Sequence, residues 1–134
     1  MRVEKFTRRS RRLVALLLAV LCFVPTSIVR GQTLLHTVDN PVAQPGAWFG
    51  FALTSLGDVD GDGAPDFAVG APNQNVGANV AQGQVLVVSG VSGTILHTLN
   101  DPDPQASASF GRALAGTGDV NGDGIPDVAV GAPM

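Results

Sequence analysis

Four aspartates stand at alternate positions of one short, glycine-rich loop. In "DVDGDGAPD" Asp58, Asp60, Asp62 and Asp66 occupy positions 1, 3, 5 and 9. In "DVNGDGIPD", 61 residues later, Asp119, Asn121, Asp123 and Asp127 do the same. Alternate residues of a tightly wound loop can turn their oxygens toward one centre. Hard cations such as Ca²⁺ take six to eight oxygens at about 2.3–2.6 Å. Four side chains and the backbone carbonyl of position 7, Ala64 or Ile125, supply most of that shell, and water completes it. Gly61, Gly63, Gly122 and Gly124 permit the turns without Cβ clashes, and Pro65 and Pro126 stiffen the approach to the last acid. Mg²⁺ suits the loop less well because it demands tighter octahedral geometry. Zinc is disfavoured, since no cysteine and no histidine lies near either loop.

Two rival readings exist for such a loop. Asp-Gly pairs are common turn formers, so an isolated copy reads equally as an acidic surface turn. The duplication of the whole oxygen set favours the cation. The D-x-D-x-D-G start also matches an EF-hand or dockerin loop. Those require a bidentate glutamate at position 12, where this chain has Val69 or Val130. The residues that follow each loop, "FAVGAP" and "VAVGAP", read as strand rather than helix.

The loops must be held by β-structure. "FGFALTSLG" (49–57) and "DFAVGA" (66–71) flank the first loop, "GQVLVVSG" (83–90) is strongly β-branched, and "TILHTL" (94–99) alternates. Outside the N-terminal segment no window of helical length shows a 3.6-residue period. The stretch from Thr33 aligns without gaps to that from Thr94, so the chain is one unit of about 61 residues written twice. Four short antiparallel strands per repeat describe a β-propeller blade, which makes the fold all-β. "TLLHTV" from Thr33 matches the fourth strand of the unit and is expected as the outer strand of a neighbouring blade. A propeller closes with at least about four blades. Two units therefore make an incomplete propeller, expected either to belong to a longer chain or to self-associate.

With these elements in place, the unit resembles the FG-GAP repeat found in the β-propeller of integrin alpha chains and in many bacterial secreted proteins. Phe49-Gly50 and Phe110-Gly111 match the FG; Gly70-Ala71-Pro72 and Gly131-Ala132-Pro133 match the GAP. The acidic loop between them matches the family's calcium loop. The resemblance implies seven blades in the complete fold, with calcium at blade hairpins. It divides the chain into a preceding outer strand and linker (32–48), a first repeat (49–109) and a truncated second repeat (110–134).

The N-terminal segment reads differently. A basic stretch precedes an apolar run of about a dozen residues from Leu13, too short to span a bilayer comfortably. Residues 1–31 are expected to be an export signal, cut after Ser27 or Gly31, with a retained membrane anchor as the alternative. Twin arginines leave the twin-arginine route open. Cys22, the chain's one cysteine, falls inside this segment, so disulfide or thiol chemistry is not expected of the mature chain. Seven of the eight basic residues also lie there. Beyond residue 31 Arg112 stands alone against ten acids, a formal charge of −9. That balance argues against nucleic acid, whose phosphates need basic contacts, and suits carboxylates that bind cations. The expected location is secreted or at the cell surface, with an extracellular protein or glycan as ligand and no stable membrane span after cleavage.

No nucleophile elbow, phosphate loop or paired histidine and carboxylate is present, so no catalytic residue is assigned. The alternative is a scaffold for a secreted hydrolase or lyase whose catalytic residues lie elsewhere. A purely structural array is a third reading. His36 and His97 share one repeat position and are read as packing or hydrogen-bonding residues. Trp48 is read as a partly buried blade-edge aromatic and Arg112 as a surface residue. Phe49 and Phe110 are read as core anchors between blades.

Overall fold

β-Branched and glycine-punctuated runs become strands where the sequence places them. The computed structural model describes residues 33–133, so the expected export signal lies outside the described residues. From Leu34 onward the chain forms one unit. Its strands are β1 (Ala52–Ser55), β2 (Phe67–Ala71), β3 (Gln84–Val88), β4 (Ile95–Asn100), β5 (Ala113–Gly118) and β6 (Asp127–Gly131). The first four make one antiparallel sheet in sequential order, and β5 pairs with β6 in a second. All secondary structure among the described residues is β, and the first sheet is a four-stranded propeller blade. No described helix is long and apolar enough to cross a membrane.

Burial explains the strand compositions. β2 and β3 are covered on both faces, so "FAVGA" and "QVLVV" are almost wholly apolar. β1 has a half-exposed alternation, as a strand at a sheet edge should. One face of the blade gathers Ala68 and Val85 with Phe110, backed by Leu99, Leu114, Val128 and Val130. The opposite face gathers Val69, Leu86 and Val88, with Val38, Phe49 and Phe67 packed on them. The two clusters follow the repeat. Val38, Phe49, Phe67 and Val69 lie 61 residues before Leu99, Phe110, Val128 and Val130. Phe110 is thus the anchor between the two sheets, and its burial contributes roughly 1.5–3 kcal/mol. Phe49 packs on the far face of the first sheet.

The sheets approach at glycines. A Cβ on Gly70 would stand 2.1 Å from the Gly111 carbonyl oxygen, so only hydrogen fits there. Thr54 Oγ1 accepts a bond from the Gly116 amide at 3.0 Å, tying β1 to β5.

The segment expected as the outer strand of a neighbouring blade is unpaired among the described residues. Leu34–Val38 takes no strand pairing. A strand needs a neighbour offering matched N–H and C=O groups, and among the described residues none pairs with this segment. Side chains hold the segment instead. His36 Nε2 lies 2.7 Å from the Val91 carbonyl oxygen, Val38 packs into the outer cluster, and Asn40 Nδ2 donates to Gln74 Oε1 at 2.8 Å.

Candidate metal centre

Each acidic loop joins two paired strands, β1 to β2 and β5 to β6, so its ends are fixed by a ladder. Below the first loop, the Leu56 amide donates to the Asp66 carbonyl and the Asp66 amide to the Gly57 carbonyl, both at 2.8 Å. Within the loop the backbone winds around the first aspartate. Asp58 Oδ1 accepts from the amides of Gly61 (2.7 Å) and Asp62 (3.0 Å), and Oδ2 from Gly63 (2.9 Å). This winding requires φ near +82° at Gly61 and +88° at Gly63, values open to glycine and strained for other residues.

The second loop repeats this winding. Asp119 Oδ1 accepts from Gly122 (2.7 Å) and Asp123 (3.1 Å), and Oδ2 from Gly124 (2.9 Å). Asp60 and Asn121 each take the amide two residues on, at 3.1 and 2.9 Å. Asp62 and Asp123 take the amides of Ala64 and Ile125, at 2.9 and 2.8 Å. Asp66 and Asp127 reach back to the amides of Val59 and Val120, at 2.7 and 2.8 Å. Every expected side-chain ligand is therefore oriented by a backbone N–H. A carboxylate has about four acceptor sites, so these bonds leave lone pairs for a cation.

The loops are not equally convergent. Asp58, Asp60 and Asp66 bring oxygens within 4.8 Å of one another. Asp62 is not in that group; its Oδ1 is turned to the Ala64 amide. In the second loop Asn121 Nδ2 donates to Asp123 Oδ2 at 3.1 Å, an amide–carboxylate contact the first loop cannot make. The side chains offer carboxylate and amide oxygens, with no imidazole or thiol among them, which fits a hard cation and not a soft one.

Two features of the site were not apparent from loop spacing. Asp66 is 1% exposed, and its Oδ1 accepts the Gly90 amide at 2.9 Å, so the last expected ligand also pins the turn after β3. The glycine closing "VVSG" was the available cue, since a Cβ there would meet the Pro65 carbonyl oxygen at 2.1 Å. At the opposite end of β1, Trp48 stacks on Phe51 with centroids 5.5 Å apart, and Arg112 lies over Phe51 at 5.9 Å. Trp48 is 52% exposed, more open than a partly buried edge aromatic, and Arg112 is engaged in a cation–π contact.

The sequence model of the FG-GAP repeat matches residues 49–88 and 110–134, beginning each time at the phenylalanine that opens a unit. The chain carries FG-GAP repeats. Such repeats imply β-propeller blades, in agreement with the four-stranded sheet. The chain is similar to integrin alpha-E of Mus musculus, 34% identical over 110 residues that cover 75% of this chain and 9% of that protein. It is similar to integrin alpha-2 of Bos taurus, 38% identical over 116 residues, 79% of this chain and 9% of that protein. With integrin alpha-IIb of Homo sapiens it shares 43% identity over 88 residues, 63% of this chain and 8% of that protein. This FG-GAP chain thus spans less than a tenth of the length of these relatives.

Proposed function

We propose that this chain is an exported, calcium-stabilised β-propeller repeat module for adhesion or for binding a protein or glycan ligand outside the cell. The observation that carries the calcium part is the shared winding of two loops, in which the same aspartate gathers the following amides and four oxygen-bearing side chains follow in the same order. Asp58, Asp60, Asp62 and Asp66 with the Ala64 carbonyl would hold one ion, and Asp119, Asn121, Asp123 and Asp127 with the Ile125 carbonyl another. The ion's work is structural: it neutralises converging carboxylates and makes the hairpin rigid. Affinities on the order of 10⁻⁴–10⁻³ M suit an extracellular module.

The adhesive, non-catalytic part is supported by the likeness to integrin alpha chains. The open Trp48–Phe51 pair, at the opposite end of β1 from the acidic loop, offers a contact surface that the loops leave free. The N-terminal leader supports export.

The calcium reading is tested by thermal unfolding in Ca²⁺ and in a chelator. At a hundredfold excess over Kd each filled site adds about 2.7 kcal/mol, which raises Tm by roughly 10 °C or more for a domain of this size. Asp60→Ala and Asn121→Ala are each expected to weaken their loop's affinity on the order of tenfold or more and to reduce that shift. An identical calcium-dependent rise in both variants and the parent would sink the reading. The adhesive part requires saturable, chelator-sensitive binding of the loaded chain to surfaces coated with extracellular matrix proteins or glycans.

A further inference from the structure

The two acidic loops touch. A Cβ placed on Gly57 would stand 2.8 Å from Pro126 Cγ, so the proline ring lies directly on the Gly57 backbone. Each partner is one residue from a ligand of its own loop. Gly57 precedes Asp58, the first ligand of the first loop, and its carbonyl also holds the amide of Asp66, the last. Pro126 precedes Asp127, the last ligand of the second loop. The contact is supported from below, where the Gly116 amide bonds Thr54 Oγ1 and β5 lies against β1.

We propose that calcium binding at the two loops is positively coupled through the Gly57–Pro126 contact. This rests on the calcium reading of the loops. An ion in the second loop draws Asp127 inward and fixes the adjoining proline, whose ring has no rotatable side chain to absorb the movement. The fixed ring confines Gly57, and with it Asp58 and the Gly57–Asp66 pair. The first loop then has less freedom to lose when it binds its own ion, and this lowers the cost of binding. Coupling of this kind is reciprocal, so the first ion assists the second equally. Repulsion between the ions acts in the opposite sense. Both loops are largely open to solvent, and at physiological ionic strength exposed charges are screened over about 8 Å. Direct packing is not screened, so it sets the sign.

The test follows the first loop by calcium titration, with the Gly63 amide resonance reporting its occupancy and calorimetry reporting total binding. Silencing the second loop with the paired change Asn121→Ala and Asp123→Ala, both exposed positions, is expected to weaken the first loop about fivefold or more. Pro126→Ala keeps every second-loop ligand and is expected to weaken the first loop to a similar degree. Silencing the second loop on the Pro126→Ala background is then expected to change nothing further. First-loop affinity that ignores both changes overturns the coupling and leaves the calcium reading standing. An unmodified chain that binds no calcium at either loop overturns both.

Discussion

Asp66→Ala is expected to destabilise the blade by about 2–5 kcal/mol even with all calcium removed. The carboxylate is 1% exposed and accepts two backbone amides, Val59 at 2.7 Å and Gly90 at 2.9 Å. Alanine leaves both half-buried donors without that partner, and each orphaned donor costs roughly 1–3 kcal/mol. For a domain of about this length that lowers Tm by about 10 °C or more. The sister residue gives the contrast. Among the described residues Asp127 is only half-buried, and the amides it holds lie in an exposed loop where water can replace it. Asp127→Ala in chelator is expected to cost about 1 kcal/mol. Urea unfolding of both variants in chelator checks this. If Asp66→Ala and Asp127→Ala lose the same amount, the buried bridge from the loop to the turn after β3 is not the cause.

That asymmetry marks the boundary of what the chain reveals by inspection. The strands were legible because β2 and β3 are covered on both faces and carry unbroken apolar runs, while turn residues separate them. The winding of the loops was legible because Asp58 and Asp119 gather the following amides around themselves, a local event set by Asp-x-x-Gly spacing. What depends on distant residues was not. The bridge from Asp66 to Gly90 spans 24 residues, and nothing in the spacing of the loop itself announces it. "TLLHTV" carries the side-chain pattern of β4, yet pattern cannot supply the sheet edge that pairing requires. Trp48 shows the same limit. Its repeat partner Ser109 shares its backbone, with φ near +58° and +54°, but the backbone does not say which aromatic stacks outward on Phe51.

Gly83→Ala is expected to have the largest effect, because two independent demands meet at one atom. The residue has φ near +88°, a conformation that costs a side-chain-bearing residue roughly 1–2 kcal/mol. An added Cβ would also fall 2.2 Å from the Phe110 carbonyl oxygen and 2.5 Å from its amide nitrogen. Those are backbone atoms, so no rotamer change relieves the clash; the two segments must part. Parting them breaks the seam in which the amides of Ser107, Ser109 and Phe110 donate to the carbonyls of Val80, Ala81 and Gln82. It also withdraws Phe110 from Ala68 and Val85. The expected total is about 4 kcal/mol or more, in the range that single substitutions reach only through combined mechanisms. Gly77→Ala isolates the first demand, since that glycine has φ near +61° and nothing within 4 Å of the added carbon. It is expected to cost only about 1–2 kcal/mol. Hydrogen exchange distinguishes the two outcomes. Gly83→Ala should expose the amides of Phe110 and of β6 while those joining β2 to β3 stay protected, because the first sheet keeps its own ladder when the second swings away. Equal protection of β6 in Gly83→Ala and Gly77→Ala would mean that the seam at Phe110 does not hold the two sheets together.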